Sequence, residues 1–172
     1  NKGRMTLVGY SQQRIGEQDV SVVIRRVIDQ LGLKPSNLVT SVSGRSVIVR
    51  QVETPRLPDA ELKSHITIGA DQYIPFGLDE VVIDFQPLED EEGQEGNANM
   101  NVQLVAVRRG FIEDHVGLLN NAGIHPKAID VDLFALCNAY EVFGPTNSAD
   151  ENPAIALVDI GASKVCVAIL KG

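Results

Sequence analysis

Only two cysteines occur in 172 residues, Cys137 and Cys166, far apart in apolar surroundings, with no CxxC spacing and no paired histidine. That scarcity argues against a disulfide framework, and both thiols are expected to be reduced core residues of a cytosolic protein. His65, His115 and His125 are scattered without HxxxH or Cys/His spacing, so neither a metal cluster nor a catalytic histidine is expected. No stretch approaches the roughly twenty uninterrupted apolar residues of a membrane helix, and no charged-then-apolar signal segment opens the chain. Direct membrane insertion is therefore not expected. Lys plus Arg number 15 against 23 Asp plus Glu, a formal charge of −8, which argues against nucleic acid as a partner. Residue 1 is not Met, and the first apolar run begins almost at once, as in a piece of a longer chain.

What is present suffices for one globular core, or one and a small second, since 44% of residues are hydrophobic. Residues 4–10 read as a strand. The next segment sets Val20, Val23, Ile24, Val27, Ile28 and Leu31 at helical spacing, with Asp19 as N-cap and Gly32 and Pro35 as stop. "NLVTSVS" and "SVIVRQVE" are β-branched runs separated by Gly44 and Arg45, a break expected to mark a change of sheet. "DAELKSHITIGADQY" offers Leu62, Ile66 and Ala70 on one helical face, weakened by Gly69. Val81, Ile83 and Phe85 alternate with Val82, Asp84 and Gln86 as a strand whose partner should be "NMNVQLVAVRR", residues 79–88 and 99–108 pairing antiparallel. Between them "EDEEGQEGNAN", residues 89–99, holds five acids within seven residues and reads as a solvated loop. A helix spanning Phe111 to Ala122, a strand "AIDVD", an apolar helix "LFALCNAYEVF" stopped by Gly144 and Pro145, and a closing hairpin complete the chain. The order is β, α, β, an inserted β-α-β-β-α unit, then β-α-β-β, which implies an α/β protein with a mixed sheet.

The hairpin "IALVDIGASKVCVAILKG", residues 155–172, joins two β-rich runs through Asp159, Ile160, Gly161, Ala162 and Ser163. Such a strand-Asp-glycine-strand element can hold a phosphate on backbone N–H groups while the Asp positions a hydrated metal ion, or it can be a plain buried hairpin. The residues alone leave both readings open. Gly44 in "SVSGRSV" is followed by neither a Walker lysine nor a GxGxxG pattern, so a strand break explains it better than a phosphate loop.

Four stretches, "VTSVSGRSVIVRQVETPRLPDAEL", "DQYIPFGLDEVVIDFQPL", "VQLVAVRRGFIEDHVGLLNNAGIHPKAIDVDLFALCNAYE" and "ALVDIGASKVCVAIL", together resemble the PilM family. These are the actin-like cytoplasmic proteins of type IV pilus assembly, related to the cell-division protein FtsA, and the likeness runs over essentially the whole chain. The resemblance implies a partial actin-like (ribonuclease H-like) α/β fold. Residues 1–48 and 125–153 would form a partial subdomain 1A, residues 49–124 an inserted subdomain 1C, and residues 154–172 the first hairpin of 2A. It implies Asp159, Gly161, Ala162 and Ser163 as a phosphate loop for ATP, with Asp159 acting on Mg through water. Lys164 departs from the polar residue common there. On the same pattern the other phosphate loop and the adenosine segment would lie outside these residues, so ATP and Mg belong to the full-length protein and this chain alone is expected to bind neither. The implied partner is the cytoplasmic N-terminal tail of a bitopic inner-membrane protein of PilN type, which would keep the protein cytoplasmic but peripheral to the inner membrane. Ser43, Gly44, Arg45, Gln72, Tyr73, Pro75 and Phe76 are the candidates for the tail-binding groove, although Tyr73 and Phe76 can equally be core aromatics. Self-association through unsatisfied strand edges is a further expectation. The competing functions are an FtsA-like division protein and an ATPase or kinase of the same fold. No catalytic residue is assigned, because no isolated Asp in a buried loop stands out.

Overall fold

Gly44 interrupts the β-branched run between Leu38 and Glu53 with a φ of 104°, a conformation that side chains with a Cβ rarely adopt. The chain changes both sheet and unit there. The computed structural model describes residues 5–32, 37–88, 98–144, 154–162 and 164–171, and the chain forms two units, residues 1–44 with 116–172 and residues 45–115.

In the second unit, β1 being Val39–Val42 of the first, strands β2 (Val47–Pro55), β3 (Val81–Pro87) and β4 (Asn99–Arg108) form an antiparallel sheet with β4 in the centre. Register sets Val52 opposite Val102, and Ile83 and Phe85 opposite Ala106 and Leu104, so the apolar members of each alternating strand share one face. Helix α2 (Asp59–Gly69) buries Leu62 and Ile66 against that face, and a 3₁₀ turn, Ala70–Gln72, continues it with buried Ala70. Gly69, the weak point of the helical pattern, is where the α-helix stops. The expected antiparallel pairing of residues 79–88 with 99–108 is present, while residues 89–97 of the acidic stretch lie outside the described residues.

In the first unit, α1 (Val20–Leu31) starts at Asp19, whose carboxylate accepts from the Ser21 N–H, and ends at Gly32. Its Ile24 and Ile28 pack with Leu38 on Leu119, Ala122 and Ile124, the residues at and just beyond the end of α3 (Arg109–Asn121). Arg25 donates from Nη1 to the Ala122 carbonyl at 3.1 Å, and Gly123, at φ 72°, leaves the room that its guanidinium uses. Strand β1 pairs in parallel with β5 (Ala128–Val131), and α4 (Asp132–Phe143) packs against β1, β5 and β7. The hairpin β6 (Ala154–Ile160) and β7 (Val165–Lys171) is a separate antiparallel pair. Its Ala168 face is packed, whereas Val158, Ile160, Val165, Val167 and Ile169 form an exposed apolar face.

Two expectations change. The described strands make three separate sheets instead of one mixed sheet. Residues 5–10 form no strand: Met5, Leu7, Val8 and Tyr10 are exposed, and no described strand pairs with them, so alternation alone does not make a ladder.

Leu104 is 1% exposed at the centre of the second unit's sheet, so Leu104→Ala is expected to cost about 2–5 kcal/mol in a denaturant melt. Thr54 lies 4% exposed with its hydroxyl unpartnered. Thr54→Val removes that stranded group at nearly constant volume, and should raise the thermal midpoint by about 2–4 °C, the equivalent of about 1 kcal/mol.

Candidate functional site

The hairpin turn is closed by its own backbone: the Gly161 N–H donates to the Lys164 carbonyl at 2.9 Å. A Cβ on residue 161 would lie 3.2 Å from that oxygen, which is the local reason for glycine. The Gly161 amide is thus engaged within the turn. Ala162 is exposed beside it, and Ser163 lies outside the described residues. Asp159 pairs across the hairpin with Cys166, on the face that carries Ala168, and its carboxylate is exposed. An exposed carboxylate such as that of Asp159 would hold a magnesium ion mainly through water, since magnesium takes few direct protein ligands. It does not make a protein cage, and among the described residues no cluster of three or more His, Cys, Asp or Glu could hold a metal.

Lys164 reaches back from this turn to α4. Its Nζ lies 3.1 Å from Asp132 Oδ2, and the Ser41 and Ser43 hydroxyls donate to the same carboxylate. Partial burial pushes the Asp132 carboxyl up, but the hydrogen bonds from Ser41, Ser43 and Lys164 and the lysine's charge outweigh it and hold it below the ordinary carboxylate range. Val42 and Val131 are the last pair of the parallel ladder, so Ser43 and Asp132 leave the two strands at the same end. In open α/β sheets that carboxyl end is where ligands bind.

The residues expected to bind a partner divide. Ser43 is committed to Asp132, and Gly44 is the positive-φ break. Arg45 is exposed in the turn that follows. Gln72 and Tyr73 come together on a cavity of about 410 Å³ in the second unit, with Val52, Ile66 and Leu104 among its walls. Pro75 is exposed and does not line it. Phe76 packs on the sheet's core, with the Arg108 guanidinium 4.0 Å over its ring, so it serves packing. Reasoning from sequence missed Asp132 and Ser41. A Ser-x-Ser at the end of one strand and an Asp at the end of another were visible, but their meeting depends on a pairing that the sequence does not display.

The depressed Asp132 carboxyl makes a stability contribution present above the ordinary Asp value and lost as pH falls through the lower, folded value. Asp132→Asn should therefore lower the thermal midpoint near neutrality by about 2–4 °C, or about 1 kcal/mol, with the gap to wild type closing below about pH 4. Thermal melts at several pH values read both.

Two solved structures are similar to this chain in fold. A chain of a PilM-PilN type IV pilus biogenesis complex matches with a TM-score of 0.72 at 24% identity, over 97% of this chain and 49% of that one. The cytoplasmic domain of EpsL, an inner-membrane component of the type II secretion system of Vibrio cholerae, matches with a TM-score of 0.50 at 14% identity, over 87% of this chain and 56% of that one. At these identities the likeness establishes the fold, which is a partial actin-like fold. The chain spans about half the length of each. The family model described as type IV pilus assembly protein PilM matches residues 10–172, and the chain belongs to that family.

Proposed function

We propose that this chain is the partner-binding portion of a cytoplasmic adaptor of type IV pilus assembly. It takes the cytoplasmic N-terminal tail of a PilN-type inner-membrane protein and so holds the pilus machinery at the inner membrane. The observation that carries the reading is the match of 97% of the chain to a chain of a PilM-PilN complex, together with the family match over residues 10–172. The family match also favours it over an FtsA-like role in cell division. A short peptide bound in a groove gains main-chain hydrogen bonds and apolar pockets. Exposed Arg45, after the Gly44 break, is the side chain available for it.

In the whole protein the hairpin turn would serve ATP and Mg. Asp159 would orient hydrated magnesium, Ala162 and Ser163 would offer backbone amides to phosphate, and Gly161 would keep the turn narrow. The exposed apolar face of Val158, Ile160, Val165, Val167 and Ile169 supports association of this chain with itself when it is prepared alone.

Titration of a labelled tail peptide should show Arg45→Ala binding more than about tenfold more weakly, a loss of about 1.4 kcal/mol, with an unchanged circular dichroism spectrum. Equal affinities would remove Arg45 from the site. In the whole protein, Asp159→Ala should abolish the magnesium dependence of ATP binding measured by calorimetry. Retained magnesium dependence would place the metal elsewhere.

A further inference from the structure

Lys164 and Asp132 hold one another unequally. The lysine's ammonium lies 3.1 Å from Asp132 Oδ2, but that carboxylate is also held by the Ser41 and Ser43 hydroxyls at the end of β1. Departure of the lysine would leave the carboxylate hydrogen-bonded, so the lysine is the member that can leave at small cost. Water reaches both partners, Lys164 being 40% and Asp132 30% exposed, and an ion pair open to solvent is weak. Lys164 also belongs to the hairpin turn: its carbonyl accepts from the Gly161 N–H at 2.9 Å and closes the loop around exposed Ala162. An ammonium on a flexible four-carbon stem can therefore swing while the backbone beneath it stays fixed. Exposed Asp159 leads into this turn and Lys164 leaves it, so a carboxylate and an ammonium flank the loop.

We propose that Lys164 is a phosphate-contacting cation of the hairpin turn, held on Asp132 while the turn is empty and exchanged onto the nucleotide's phosphates when they bind. The inference rests on the proposed ATP reading of the turn, and it adds a residue that the implied phosphate loop does not include. Exchange is favourable because a phosphate chain carries more negative charge than a carboxylate and offers more acceptor oxygens. Its cost is small because Asp132 keeps Ser41 and Ser43. The turn also has a use for a side-chain donor: the Gly161 amide is spent on the Lys164 carbonyl, which leaves one backbone N–H fewer for phosphate. Asp132 and the phosphates then compete for a single ammonium, and that competition fixes the sign of what each substitution does.

The test is calorimetric titration of Mg-ATP into the whole protein and into Lys164→Gln, Asp132→Asn and the double variant. Both positions are partly exposed, so the variants should fold. Lys164→Gln removes the cation and is expected to weaken binding about five- to tenfold. Asp132→Asn keeps an acceptor for Ser41 and Ser43 but releases the lysine, and is expected to tighten binding about two- to fivefold. The double variant should bind like Lys164→Gln, because without the ammonium Asp132 has nothing to withhold. Weaker binding in Asp132→Asn as well as in Lys164→Gln would overturn the inference, since the ion pair would then be needed intact in the bound state. Wild-type affinity in both single variants would overturn it too, and either result leaves the ATP reading standing. A wild-type protein that binds no Mg-ATP would overturn both.

Discussion

Four pairs of residues, Val39–Val42 against Ala128–Val131, hold together two segments that are far apart in the chain. They run in parallel, and parallel strands cannot be joined by a tight turn, so a long connection must lie between them. Here that connection includes the whole of the second unit. The parallel direction also brings the carboxyl ends of both strands to one side, and so Ser43 and Asp132 become neighbours. Asp132 then gathers Ser41, Ser43 and Lys164, tying the end of β1, the start of α4 and the hairpin turn to a single carboxylate. Removing the ladder would scatter all of these groups.

The second unit shows how charged side chains are put to structural use. Gly69 ends α2, and the 3₁₀ turn that follows buries Ala70 in the core. Arginines at the end of β4 take structural work. Arg108 covers Phe76, while Arg109 donates to the Asp79 and Val81 carbonyls. Arg109 thereby braces the start of β3.

The departure at Lys164 has a structural counterpart. A polar residue there could point along the hairpin, but an ammonium group on a long stem reaches α4 and finds Asp132 at 3.1 Å. The contact is partly exposed, so its worth lies in fixing the turn's direction more than in stability. It also places a positive charge next to the turn proposed to meet phosphate.

Local periodicity was enough to read α1, α2, α3, α4, the β3/β4 pair and the closing hairpin, because each buries one face and writes that face at a spacing of 3.6 or 2 residues. Gly44 was legible as a break, since a β-branched run stops there, and its φ of 104° supplies the reason. The turn at Asp159 and Gly161 was legible as a possible phosphate loop. Residues 4–10 misled, because alternation announces a strand without saying whether a neighbour is present to accept its hydrogen bonds. Phe76 and Tyr73 could not be separated in sequence: both are aromatic residues in one short motif, yet one lies under Arg108 and the other opens on a cavity. What the sequence by itself determined was the local elements, their ends and the chain's acidic balance, all of which depend on neighbours a few residues apart. Only the tertiary structure decided that Ser41, Ser43, Asp132 and Lys164 converge, because register and direction of strand pairing are long-range choices that no local spacing records.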